Sequence, residues 1–293
     1  MTDKNHKSGY AAIIGKPNAG KSTLMNRILG TKISITTHKP QTTRHQVVGI
    51  FSDDVTQIIF LDTPGVISPK YELQKAMMKT VERARRDADM ILFIFDPTDT
   101  HPTDEVIELL RTINKPILLI VNKIDAINKE KAEKKTALIE ENLKLAGIHY
   151  VSALTGEGID KLMDSVRAYL MPGPPFYPKE DLSEHPIRFF VSELIREQIF
   201  LQFHDEIPYS CTVNVINYEA AEDIDRINAE IIVNRKSQKG MLIGKGGEAI
   251  KNLGIKSRET IEELVGKQVF LDLHVKVREK WREKENWVRN LGY

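Results

Sequence analysis

The chain has 293 residues, of which 41% are hydrophobic and 28% charged, with 42 basic against 41 acidic side chains and a formal net charge of +1. That balance excludes a disordered chain, and the length suits one large or two ordinary domains, each with a core of its own. The single cysteine, Cys211, excludes an intramolecular disulfide and predicts a reducing compartment, while the near-zero charge speaks against a nucleic-acid partner.

Met1–Ser8 is polar and predicts no secretory leader, and no apolar run reaches the roughly 18 residues of a membrane span. Tyr10–Ile14 is a short apolar run that predicts a strand. Directly after it stands Gly15-Lys16-Pro17-Asn18-Ala19-Gly20-Lys21-Ser22, then Thr23 and an amphipathic stretch to Leu29. Strand, glycine loop and helix in that order are what a phosphate-binding loop needs. Gly15 and Gly20 let the backbone curl so that its N–H groups face phosphates. Lys21 reaches the β- and γ-phosphates, Ser22 offers a hydroxyl to magnesium, and the helix N-terminus adds its positive end. Thr36–His45 is polar and aperiodic and predicts a mobile loop. Val47–Ser52 and Thr56–Leu61 flank Asp53-Asp54 and predict a hairpin with one antiparallel edge strand. Asp62-Thr63-Pro64-Gly65 ends that hairpin, where a carboxylate can approach magnesium through water and the Gly65 N–H can meet a γ-phosphate.

Met90–Phe95, Ile117–Val121 and Ile148–Val151 are further apolar runs between amphipathic stretches, the pattern of a largely parallel α/β sheet. Asn122-Lys123-Ile124-Asp125 ends the second of them. Asp125 can accept from the N1–H and exocyclic amine of guanine, a donor pair that adenine lacks; such mismatches reach about 10⁴ to 10⁵ in discrimination. The Lys123 stem can cover the base, and Asn122 can tie this loop to the phosphate loop. Ser152-Ala153-Leu154 ends the last run, where a backbone N–H can meet the guanine carbonyl. Ligands bind α/β sheets at such strand ends.

Met171–Pro178 holds five prolines and glycines in eight residues and predicts an interdomain linker. The expected division is 1–171, a linker over 172–181, and 182–293. In the second part Ile187, Phe190, Val191, Leu194 and Ile195 have helical spacing. Cys211 to Val215, Ile227 to Val233 and Val269 to Val277 alternate as strands. Two helical pieces flank Gly244-Lys245-Gly246-Gly247, and Lys280–Leu291 predicts a last helix. Ile250, Leu253, Ile261 and Leu264 are expected in the core, with Trp281 and Trp287 packing the end of the chain down. Glycines at both ends of the loop let a sugar-phosphate chain lie close, and Lys245 puts charge at its tip. From Arg235 to Arg258 there are seven basic residues and one acidic residue, Glu248. That local excess, with Lys239 and Lys251 beside the loop, reverses the inference from net charge.

Together the motifs at Gly15–Ser22, Asp62–Gly65, Asn122–Asp125 and Ser152–Leu154 resemble the G1, G3, G4 and G5 motifs of translation-factor-related GTPases, over roughly residues 9 to 170. The resemblance implies GTP and GDP as ligands, Mg2+, and an α/β P-loop GTPase fold with a Ras-like six-stranded mixed sheet. Thr36–His45 is similar to the G2 segment of the bacterial TrmE–Era GTPase group, in which a threonine before an arginine closes on magnesium. That singles out Thr43, with Thr42 as the alternative. The implied metal ligands are Ser22, Thr43 and Asp62, and the residues implied in hydrolysis are Lys21, Thr43 and Gly65. Val66 stands where Ras-type GTPases carry a water-orienting glutamine, so hydrolysis is expected to be slow and to rest on charge neutralisation. Members of the group with asparagine in the phosphate loop, here Asn18, use K+, and the resemblance implies it here.

Met241–Ile250 resembles the GXXG signature of a type II KH domain, an α+β fold, and implies RNA contacts by Gly244, Lys245, Gly246, Gly247, Lys239 and Lys251. A GTPase followed by a type II KH domain resembles the ribosome-associated branch of the group. That implies binding near the 3′ end of 16S rRNA, assistance to 30S subunit maturation, and peripheral association with a membrane. The chain is expected in the cytoplasm and, with no heptad seam, as a monomer. The rival expectation is a regulatory switch for a protein or membrane partner, with the KH-like part inert.

Overall fold

The computed structural model describes residues 6–100 and 103–293; Met1–Asn5 of the polar N-terminus lie outside them. The chain forms two compact units, one running to Pro69 and over Met77–Glu184, the other built from Lys70–Ala76 and His185–Tyr293. No helix among the described residues is long and apolar enough to cross a membrane.

The first unit runs β1 (Lys7–Ile14), α1 (Lys21–Leu29), β2 (Val47–Ser52), β3 (Thr56–Asp62), α2 (Glu72–Asp87), β4 (Met90–Phe95), α3 (Asp104–Arg111), β5 (Ile117–Val121), α4 (Lys129–Glu140), β6 (Gly147–Tyr150), α5 (Ile159–Ala168) and β7 (Met171–Pro172). The sheet order is β2-β3-β1-β4-β5-β6. All neighbours pair in parallel except β2, which is antiparallel to β3 across the Asp53-Asp54 turn. β4 and β5 read as continuous apolar runs and are buried throughout, as strands covered on both faces must be. The two-residue β7 adds an antiparallel pairing to β1 beyond the six strands expected.

The proline-rich stretch is strapped to this unit rather than free. Ser8 Oγ donates to Pro174 O at 2.8 Å, and the buried Gln57 accepts from the N–H groups of Phe176 (2.6 Å) and Tyr177 (3.0 Å). Further on, Ile50 N–H donates to Leu182 O at 2.9 Å, and Ser183 Oγ donates to Val48 O. Prolines remove donors, but their carbonyls and the N–H groups between them still need partners, and the edge of β2, the start of β1 and Gln57 of β3 supply them.

The second unit runs α6 (Ile187–Gln202), α7 (Ile207–Ser210), β8 (Thr212–Glu219), β9 (Ile224–Val233), α8 (Lys236–Ile243), α9 (Glu248–Val265), β10 (Gln268–Val277) and α10 (Glu285–Asn290). β9 lies between β10, parallel to it, and β8, antiparallel to it. Ile227, Ala229, Ile231 and Val233 alternate into a core that includes Val191, Ile195, Leu253 and Ile261. Leu264, expected there, is 38% exposed, because the periodic face of α9 has turned outward by its last turn. The last helix is also interrupted. Lys280 sits at φ 56 and Lys284 is extended, so only Glu285–Asn290 is α-helical. The interruption buries Trp281, whose indole N–H donates to Ser210 O at 2.9 Å.

Candidate nucleotide site and nucleic-acid interface

The phosphate-loop residues join β1 to α1. Gly20 sits at φ 101, and a Cβ there would overlap Asn122 Nδ2, so no other residue fits. Lys21 opens α1 and is only 5% exposed; its ammonium donates to Lys16 O at 2.8 Å and Gly15 O at 3.3 Å. Burial pulls its pKa down to about 8, against the opposing pull of Asp62.

Asp62 ends β3 fully buried. Its Oδ2 accepts from Ser22 Oγ at 2.6 Å and from Ser34 Oγ at 2.9 Å, and Ser22 Oγ lies 3.0 Å from Thr43 Oγ1. Burial raises the carboxyl above its usual range, although Ser22, Lys21 and Ser34 oppose the shift. Asp62 Oδ1 has no partner. A buried unpaired carboxylate oxygen beside two hydroxyls fits a small hard cation such as magnesium. Thr42 does not belong to this group: its hydroxyl donates to Lys39 O at 2.8 Å and pairs with Thr37 Oγ1 at 2.6 Å. The structure therefore puts Thr43, not Thr42, against Ser22. Bonds of this kind draw the polar Thr36–His45 stretch against the site, with Thr42, Thr43 and Arg44 buried and Asn18 Nδ2 donating to His38 O at 2.9 Å.

Gly65 packs on the phosphate loop, where a Cβ would stand 2.5 Å from Pro17 N, and Val66 N–H donates to Gly15 O at 3.0 Å. The Val66 side chain belongs to the core with Ile14 and Leu61, so a glutamine there would be buried rather than aimed at a water. Thr63 Oγ1 donates to Ile13 O at 2.7 Å, and with Pro64 it shapes the strand end.

Asn122 joins three loops. Its N–H donates to Phe95 O at 2.8 Å, its Nδ2 to Ala19 O at 2.8 Å, and its Oδ1 accepts from Ala153 N–H at 2.9 Å. Arg27 of α1, which carried no sequence signal, donates from Nε to Ala153 O at 3.2 Å and from its terminal nitrogen to Leu154 O. Ser152 is buried and accepts from Thr155 N–H at 3.1 Å.

These loops enclose a cleft of about 410 Å³ walled by Pro17, Asn18, Gly20, Lys21, Ser22, Thr23, Thr43, Gly65, Asn122, Lys123, Asp125, Ala153 and Leu154. The size is that of a small-ligand site. Gly15, Ala19, Asp62, Thr63, Pro64 and Ser152 belong to the same loops but do not line the cleft themselves. Lys16, expected to line the nucleotide as part of the phosphate loop, has its side-chain ammonium on Asp99 Oδ2 at 2.7 Å.

In the second unit the glycine loop joins α8 to α9. Gly244, Gly246 and Gly247 all have positive φ, and a Cβ on Gly244 would meet Ala249 Cβ at 2.7 Å. Lys245 and Lys251 are exposed and Lys239 is half-buried. The basic excess is narrower than the sequence count suggests, since Lys256 pairs with Glu259 at 2.8 Å and Arg258 with Glu262 at 3.8 Å.

A family model described as a 50S ribosome-binding GTPase matches residues 10–123, and one described as a KH domain matches 206–282. GTPase Era of Geotalea uraniireducens is 42% identical over 100% of both chains. The chain belongs to the Era family of GTPases. The chloroplastic GTPase ERA1 of Zea mays is 44% identical over 99% of this chain and 71% of its own. A crystal structure of Era in complex with MgGDPNP and nucleotides 1506–1542 of 16S ribosomal RNA matches with TM-score 0.91 and 38% identity, covering 98% of this chain and 99% of that one. A crystal structure of an Aquifex aeolicus Era variant bound to GDP.AlF4- matches with TM-score 0.93 and 36% identity, over 98% and 99%. As in Era, a P-loop GTPase domain precedes a KH domain.

The depressed Lys21 pKa gives the Era-type site a pH dependence. A phosphate beside Lys21 raises its pKa, so binding above about pH 8 requires proton uptake. GDP affinity is expected to be flat near neutrality and to fall above about pH 8, by up to about tenfold per unit. Fluorescence titration at fixed ionic strength checks this, and Lys21→Arg, charged throughout, removes the slope.

Proposed function

We propose that this GTPase is a switch that binds 16S rRNA near its 3′ end through the KH domain and assists maturation of the 30S subunit. The observation that carries the reading is the union, in one chain, of a cleft built from five nucleotide-binding loops with an exposed GXXG turn flanked by lysines. It is supported by the match over 98% of this chain to Era holding MgGDPNP and an rRNA segment.

GTP lies in the cleft with its guanine at Asp125 and Lys123 and its β- and γ-phosphates at Lys21. Ser22, Thr43 and Asp62 hold Mg2+, which neutralises charge on those phosphates. The Gly65 N–H meets the γ-phosphate, and the closure of Thr36–His45 depends on that phosphate, so hydrolysis releases the loop. β2 follows this loop and its edge hydrogen-bonds Leu182 and Ser183, which gives the nucleotide state a route, across those bonds and then along the chain, toward the KH domain.

Since Val66 supplies no water-orienting group, a second cation supports the chemistry. Asn18 lines the cleft and spends its Nδ2 on His38 O, which leaves its amide oxygen as the ligand for K+. Replacing potassium by sodium at constant ionic strength is expected to slow phosphate release by about tenfold; an unchanged rate contradicts the potassium site. The same proposal places the chain in the cytoplasm as a monomer, with peripheral association at the membrane.

A further inference from the structure

One turn outside every motif holds a lysine from each of two nucleotide-site loops, Lys123 of the base loop and Lys16 of the phosphate loop. β4 ends at Phe95, and the chain turns through Asp96-Pro97-Thr98-Asp99. Asp96 Oδ2 lies 2.5 Å from Lys123 Nζ, and Asp99 Oδ2 lies 2.7 Å from Lys16 Nζ. The turn is itself fixed. Asp96 Oδ1 accepts from Thr98 N–H at 2.8 Å and Thr98 Oγ1 at 2.6 Å, and Lys135 of α4 donates to Pro97 O (2.6 Å) and Asp99 O (2.8 Å). The Asp96 side chain is 11% exposed and that of Lys123 36%, so this pair is less screened than a surface ion pair. Lys123 also stands at φ 60, a conformation that a non-glycine residue keeps only when its surroundings hold it.

A lysine stem is flexible, and freezing it costs entropy each time it is laid across a ligand. A carboxylate that holds the ammonium removes most of that cost before the ligand arrives. We infer that Asp96 is a positioning residue for guanine binding: it pins the Lys123 ammonium so that the stem lies ready across the base site, in a turn whose other end, Asp99, is fixed to the phosphate loop. The inference rests on the reading of Lys123 and Asp125 as the base site.

Asp96→Asn isolates the effect, because asparagine keeps the Oδ1 acceptor for Thr98 and replaces the carboxylate oxygen facing Lys123 with an uncharged amide nitrogen that cannot accept from the ammonium. On the full chain, release of a fluorescent GDP analogue is expected to speed about fivefold. KM for GTP should rise in proportion with kcat unchanged, and competition by inorganic pyrophosphate, which has no base, should stay the same. In a Lys123→Gln background, Asp96→Asn should add nothing. Release at the parental rate overturns the inference, as does an acceleration that persists undiminished in the Lys123→Gln background or a parallel loss of pyrophosphate binding. Asp125→Asn serves as the control. If it binds GDP like the parent, the base-site reading falls and this inference with it; if it binds weakly while Asp96→Asn is unchanged, this inference alone falls.

Discussion

Lys21→Ala is expected to lower GTP hydrolysis at saturating nucleotide by about a thousandfold, read as phosphate release in a single-turnover assay. The size follows from where the charge sits. Lys21 is buried at the start of α1 under the loop carbonyls of Gly15 and Lys16, with Asp62 as its charged neighbour. In so dry a place one preorganised charge aimed at the transferring phosphoryl group is worth about 3–4 kcal/mol of barrier. With no glutamine at Val66, the site has few other means of lowering it. The same substitution changes stability in a direction that can be checked. Asp62 has a raised pKa, so the native state holds its proton more tightly than the unfolded chain, and its contribution to stability falls as pH rises above the unfolded value. Lys21 opposes that shift. Without it the carboxyl rises further, and the variant should lose more melting temperature, relative to the parent, at pH 7 than at pH 5. Asp62→Asn in the same background removes the difference.

Changing Gly246 and Gly247 together to aspartate is expected to weaken RNA binding by at least about a hundredfold while GTP hydrolysis stays within about twofold. Both glycines have positive φ, 61 and 82, and neither has an atom within 4 Å of where a Cβ would stand. Aspartate therefore meets no clash, and its left-handed backbone costs about 1–2 kcal/mol at each site, which a domain of ordinary stability survives. What it does is place two carboxylates where an RNA backbone would approach, beside Lys245. Fluorescence anisotropy with labelled RNA measures the loss, and circular dichroism confirms the fold. RNA binding that survives both substitutions favours the reading in which the switch acts on a protein or a membrane.

The nucleotide site is legible because its residues stand at the ends of apolar strands in fixed order, and a parallel sheet brings those ends together. Asn122 shows how literal that is: the residue expected to tie two loops ties three. Other features depend on contacts that no spacing encodes. Thr42 and Thr43 are adjacent and chemically identical, and only the fold turns one to Ser22 and the other to Lys39. Asp96, Asp99 and Arg27 are ordinary charged residues until the loops they hold are in place. Proline content announces an extended segment but not the strand edge it lies on, so the contacts that strap the linker down are not legible. The basic count missed Glu259 and Glu262, which lie just beyond its window and return on the same helix to pair with Lys256 and Arg258.

Under the proposed function, one chain joins a GTP cleft to recognition of the 3′ end of small-subunit ribosomal RNA. The most direct measurement is to crosslink the full chain to RNA in growing cells and sequence the protected fragments. Fragments concentrated at the 3′ end of 16S rRNA, and lost in the Gly246→Asp, Gly247→Asp variant, are the predicted result. Fragments drawn instead from tRNA or large-subunit rRNA, or no enrichment over the variant, would contradict it.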